Sequence, residues 1–141
     1  MADPHNLQRF VDAQKPIFEQ VLQELSDGQK ATHWMWFVFP QVQGLGISAT
    51  SRFYAIRSIA EARAYLAHPQ LGPRLRQCAE TLLALDGYSA QDIFGYVDAS
   101  KLQSCMTLFA RASGSQSPYQ NVLDDYFDGQ FDQSTLDRLS G

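Results

Sequence analysis

HWMWFVFPQVQGLGIS, residues 33 to 48, packs two tryptophans, two phenylalanines, a methionine and a valine into the positions Trp34 to Phe39. The run has neither the alternation of a half-exposed strand nor the three-and-four spacing of a surface helix, so both of its faces are expected to be buried. So short a run does not separate a buried strand from a buried helix by periodicity, but helical patterns on both sides favour the helix. Pro40 removes a backbone donor and biases Phe39 away from helical angles, which ends the element. Gly44 and Gly46 then allow positive φ or a close backbone approach. His33, Gln41, Gln43 and Ser48 edge this aromatic wall, and an apolar wall with a few converging polar groups is the usual make-up of a small-molecule site. The plainer alternative is a core segment whose indole N–H groups bond internally, with His33 at the core edge.

The 141 residues are 45% hydrophobic and 18% charged, enough for one domain with one core. A net charge of −4 and the lack of any Lys/Arg run argue against a nucleic-acid binder that works by neutralising phosphates. No apolar stretch is long enough to span a membrane and the N-terminus MADPHNLQRF lacks a basic and apolar leader, so a cytoplasmic location is expected. Cys78 and Cys105 sit among apolar helical neighbours, which suits small buried hydrophobes. The three histidines, at 5, 33 and 68, form no HxxxH, and there is no CxxC; neither a metal site nor a cofactor is expected.

Outside the central stretch the chain reads as helix throughout. Asp3-Pro4 starts a helix that carries Leu7, Phe10 and Val11, and Pro16 opens a second, striped by Ile17, Val21, Leu22 and Leu25 and stopped at Gly28. Ser58 with Glu61 makes a capping box for a helix ended by His68-Pro69. Leu71, Leu75, Cys78, Leu82 and Leu85 define the clearest core-facing helix. Ser89 caps a short helix reaching Gly95, and Asp98 is expected to cap a longer one with Leu102, Cys105, Met106 and Phe109 inward. Pro118 begins a helix stopped at Gly129, and Asp132 caps a last one. The expectation is an all-α domain of eight or nine short helices over residues 1–141.

FVDAQ (Phe10 to Gln14), HWMWFVFPQ (His33 to Gln41), GLGIS (Gly44 to Ser48), EARAYLAHPQLGPRL (Glu61 to Leu75), IFG (Ile93 to Gly95) and KLQSCMTLF (Lys101 to Phe109) together resemble the bacterial family of unknown function numbered 1810. The resemblance implies a compact all-helical fold and no particular activity. Some members carry the name calpastatin, but an inhibitor of that kind is an extended, disorder-prone chain, whereas this composition builds a core. Val97 stands where the family commonly has proline, and Cys105 where it commonly has serine.

The polar residues inside these words supply the site candidates. A nucleotide-like or ADP-ribose-like metabolite would stack its base on Trp34 or Trp36, place phosphate on Arg74 and Lys101, and meet polar groups from Gln41, Ser48 and Ser104 beside Gly44 and Gly46. His33 and Asp98 are the acid/base candidates if a glycosidic bond is cleaved. The structural alternatives are that Lys101 snorkels, that Ser104 and Thr107 bond back to helix carbonyls, that Arg74 pairs with Asp98 or Glu61, and that His68 caps helix-end carbonyls. A non-catalytic module for a protein partner, marked by a flat apolar patch, and a plain helical scaffold are the competing functional readings.

Overall fold

The computed structural model describes residues 3–114 and 116–140. Its described residues form nine helices: α1 (Gln8–Gln14), α2 (Phe18–Ser26), α3 (Met35–Val38), α4 (Ala49–Phe53), α5 (Ile59–Ala67), α6 (Leu71–Ala84), α7 (Ala90–Ser113), α8 (Pro118–Phe127) and α9 (Gln133–Ser140). The long α7 is the centre. It packs on α5, α8 and α9, while α6 closes the core against α2, α5 and α8. Among the described residues there is no sheet, only one isolated parallel bridge between Val42 and Ile56.

The aromatic run does become a helix, α3, and Pro40 ends it as expected, with Phe39 leaving at φ −122° and ψ +69°. The leucine stripe of α6 is buried at Leu71, Leu75, Cys78 and Leu82. A chain of rings crosses the core from Phe10 to Tyr65 (5.2 Å), Phe109 (5.1 Å) and Tyr119 (6.0 Å). Such pairs each add on the order of 0.5–1.5 kcal/mol beyond the area they bury. Burial pushes the Cys78 thiol up to about 12 and raises Cys105 as well, so both remain neutral and unreactive.

Several boundaries differ from the sequence expectation for identifiable reasons. Asp3 does cap, accepting from the Leu7 and Gln8 N–H groups at 2.8 and 3.0 Å, but a left-handed turn at Asn6 (φ +51°) delays α1 to Gln8. Likewise α2 begins at Phe18 rather than at Pro16, with Ile17 in a non-helical conformation. Ser58 caps α5, but the Glu61 side chain does not return to it; that carboxylate bonds Arg9 and the Arg57 N–H instead. His68 Nδ1 accepts from the N–H groups of Gln70 and Leu71 at the start of α6, and so caps the next helix rather than the carbonyls of its own. Within α7 the break falls at Gly95 (φ +78°, ψ +170°) and the helix resumes directly, leaving Asp98 inside the first turn and not as its cap.

Candidate functional site

After α3 the chain leaves the core at Val42, runs through α4 and returns at Ile56. The exit and return are stitched by Ile56 N–H to the Gln41 carbonyl (2.9 Å) and Gln43 N–H to the Ile56 carbonyl (2.8 Å). The excursion forms one wall of a hollow of about 840 Å³; residues from α7 and from the start of α9 line it as well. Its volume lies within the range of small-molecule sites, roughly 300–1,000 Å³.

Two glycines shape that wall. Gly44 (φ +91°) lies so close to the Arg138 guanidinium that a Cβ would stand 2.6 Å from its Cζ, and Arg138 donates to the Gly44 carbonyl at 3.2 Å. A Cβ on Gly46 would stand 2.5 Å from the Cβ of Ser51. The close approach expected at both positions is therefore made by neighbouring side chains of the chain itself. Ser48 caps α4, accepting from Ser51 N–H at 3.1 Å, so it shapes the wall without lining the hollow.

Behind the wall stands Arg9, which is buried against Glu61 at 2.8 Å. Its guanidinium also donates to the carbonyls of Phe53 (2.8 Å) and Ala55 (3.0 Å), the segment by which the chain returns to the core. A buried arginine that meets a carboxylate and several carbonyls has little freedom left, so it fixes Tyr54 and Ala55 along the hollow. Gln14 does a similar job for α3, donating to the Phe37 carbonyl at 2.6 Å and to the Tyr65 hydroxyl at 3.0 Å.

Of the binding residues expected from sequence, Trp36, Gln41, Gly44, Gly46, Lys101 and Ser104 come together around the hollow. Trp36 is half-buried, with the Lys101 ammonium 5.1 Å from its ring centre. Ser104 bonds back to the Ser100 carbonyl (3.2 Å) and Thr107 to that of Gln103 (2.8 Å), as the structural alternative has it.

Trp34 and Arg74 stand elsewhere. Trp34 is sealed between Phe39 and Phe94, and its indole N–H donates to Glu24 at 2.9 Å. It has no free face on which a base could stack. Arg74 lies on α6 with its guanidinium 5.5 Å from the Phe18 ring of α2, and it pairs with neither Asp98 nor Glu61. Nor do the two acid/base candidates line the hollow: His33 is exposed, and Asp98 is engaged by Lys30 (2.9 Å) and Lys101 (3.7 Å).

Sequence reasoning passed over Glu24 and Arg9, and it read Asp132 only as the cap of the last helix, which it is. The Glu24 carboxylate accepts from Ala31 N–H, Thr32 N–H and hydroxyl, Trp34 Nε1 and Gln20 Nε2, all between 2.7 and 3.0 Å. Burial works to raise its pKa, but the hydrogen bonds from Thr32, Ala31 and Gln20 outweigh it and bring the carboxyl down to about 2. Asp132 lines the hollow beside Ser104, whose hydroxyl donates to it at 3.1 Å. The signal for Asp132 was present in its position before a helix. Glu24 and Arg9 act through partners that no local pattern reveals.

Among the described residues no helix is long and apolar enough to cross a membrane, and no cluster of three His, Cys, Asp or Glu side chains is placed to hold a metal ion. No curated protein matches the sequence. Among solved structures the chain is similar to the conserved hypothetical protein Rv1873 from Mycobacterium tuberculosis, with 46% identity over 99% of both chains and a TM-score of 0.96. The model of a family described as protein of unknown function, DUF1810, matches residues 4–139, and the chain belongs to that family.

Proposed function

We propose that the protein binds a nucleotide-like metabolite in the hollow beside Trp36, as a binding protein rather than a catalyst. The observation that carries this reading is the pairing of a half-exposed indole with three cationic side chains, Lys101, Arg52 and Arg57, along one concave surface. A flat ring next to positive charge suits a base that carries phosphate. Stacking contributes on the order of 1–3 kcal/mol per base, and arginine adds a planar fork matched to phosphate oxygens. Arg52 and Arg57 form no ion pair among the described residues, so their charge is free to meet an anion. Against catalysis stands the engagement of Asp98 with two lysines.

The test is a titration with AMP, ADP, ADP-ribose and NAD, followed by thermal shift and by tryptophan fluorescence. Trp34 is sealed, so a saturable change reports on Trp36. A ligand present at a hundred times its Kd stabilises the fold by about 2.7 kcal/mol. Stabilisation should be lost in Trp36→Leu and weakened in Lys101→Gln. Absence of any shift with all four compounds at millimolar concentration would overturn the proposal.

A further inference from the structure

Four charged residues line the hollow, and three of them are cations; the exception is Asp132. Its two carboxylate oxygens have unequal duties. Oδ2 accepts from Thr135 N–H (3.0 Å), the Thr135 hydroxyl (2.6 Å) and the Ser104 hydroxyl (3.1 Å), which caps α9 and ties it to α7. The Asp132 N–H is pinned as well, donating to Thr107 Oγ1 at 2.9 Å. No donor among the described residues reaches Oδ1, although the residue is half-buried on the wall of the hollow. A helix cap needs one acceptor oxygen, and asparagine or serine supplies it as well as aspartate does. The cap therefore leaves the second oxygen unexplained. What the second oxygen adds is a further acceptor on a residue that lines the hollow, held in place by the three bonds on its twin.

We propose that Asp132 Oδ1, on a stretch of wall that Ser100 and Ser134 also line, accepts from the vicinal hydroxyls of a ribose, making the hollow selective for ribonucleotides. This rests on the nucleotide reading above and narrows it to a substrate class. An acidic side chain on a ribose hydroxyl is a recurrent way to recognise that sugar. The charges suit the same orientation, with phosphate towards Arg52 and Arg57 on the loop wall and the sugar towards the wall built by α7 and α9.

Calorimetric titration of the protein with AMP and with its 2′,3′-dideoxy analogue tests this. Losing hydrogen bonds to a charged acceptor weakens binding by roughly tenfold or more. The wild type should bind AMP at least that much more tightly than the analogue. Asp132→Asn puts an amide nitrogen, a donor, in place of Oδ1 while still capping α9; it should bind both compounds equally weakly with little change in Tm. Equal affinity of the wild type for both nucleotides, or a preference retained by Asp132→Asn, overturns the ribose assignment and leaves the nucleotide reading standing. Binding of neither at millimolar concentration overturns the ribose assignment, and the nucleotide reading falls with it when ADP, ADP-ribose and NAD give no shift either. The wild-type comparison decides even if the variant folds poorly.

Discussion

Acidification should release Trp34 from its anchor, and the effect can be sized. The Glu24 carboxyl falls from 4.5 to about 2 on folding. At 1.36 kcal/mol per pKa unit this corresponds to about 3.4 kcal/mol of stability with the group ionised, an upper figure because Gln20, Ala31 and Thr32, which donate to it, are exposed to solvent. Because the folded pKa is the lower one, the contribution is present above pH 4.5 and is lost as pH falls towards 2. Linkage leaves about 3 kcal/mol at pH 4.5, about 1.4 at pH 3 and under about 0.5 at pH 2. Urea denaturation of the wild type and Glu24→Gln, read by tryptophan fluorescence at several pH values, separates this group from the other carboxylates. The variant should be the less stable by about 2–4 kcal/mol at pH 7, since an amide offers one acceptor where five donors converge. The gap should close by at least about 2 kcal/mol on going to pH 2. A gap that stays constant with pH would refute the assignment of the stabilisation to the ionised carboxylate, and no gap at pH 7 would refute the anchor itself.

Other perturbations have equally definite outcomes. Arg9→Met leaves Glu61 buried without its partner and should cost about 3–5 kcal/mol by chemical denaturation, with wild-type-like stability as the contrary result. Gly46→Ala should destabilise by about 1–3 kcal/mol through its clash with Ser51, and Ser51→Gly should recover much of that; a double-mutant cycle showing simple additivity would rule out the contact. Trp34→Phe should lower the Tm well below that of Trp36→Phe, since only the former strands the Glu24 acceptor in the core; equal losses would contradict the two environments. Gly72→Ala should be worse tolerated than any of the surface glycines, because its Cβ would meet the backbone carbonyl of Leu66.

Local pattern carried much of the fold. The leucine stripe of α6, the Ser89 cap of α7, the Pro118 start of α8 and the stop signals at Pro40, Gly28 and Gly95 all act over a few residues, and sequence spacing displays such effects directly. The candidate site was half legible for a related reason. Trp36, Lys101 and Ser104 border the core by helical spacing, but nothing local distinguishes Trp36 from Trp34. Their difference comes from Glu24, ten residues upstream, which draws one indole inward. Asp98 was mistaken for a cap because the helix resumes directly after Gly95 and not at Asp98, and Arg9 was overlooked because its bonds reach Phe53, Ala55 and Glu61. Charged groups bonded across long sequence separations leave no periodic trace.

The bridge between Val42 and Ile56 separates two kinds of construction. The segment between those points is joined to the rest by a paired doorway and by the guanidinium groups of Arg9 and Arg138, while the opposite side of the hollow belongs to α7 and cannot move without the core. Lengthening or rewriting the Gly44–Arg52 excursion is thus an insertion into a surface loop, which folding tolerates at small entropic expense. Retargeting the protein to new ligands by grafting alternative segments between the doorposts should leave the helical frame intact.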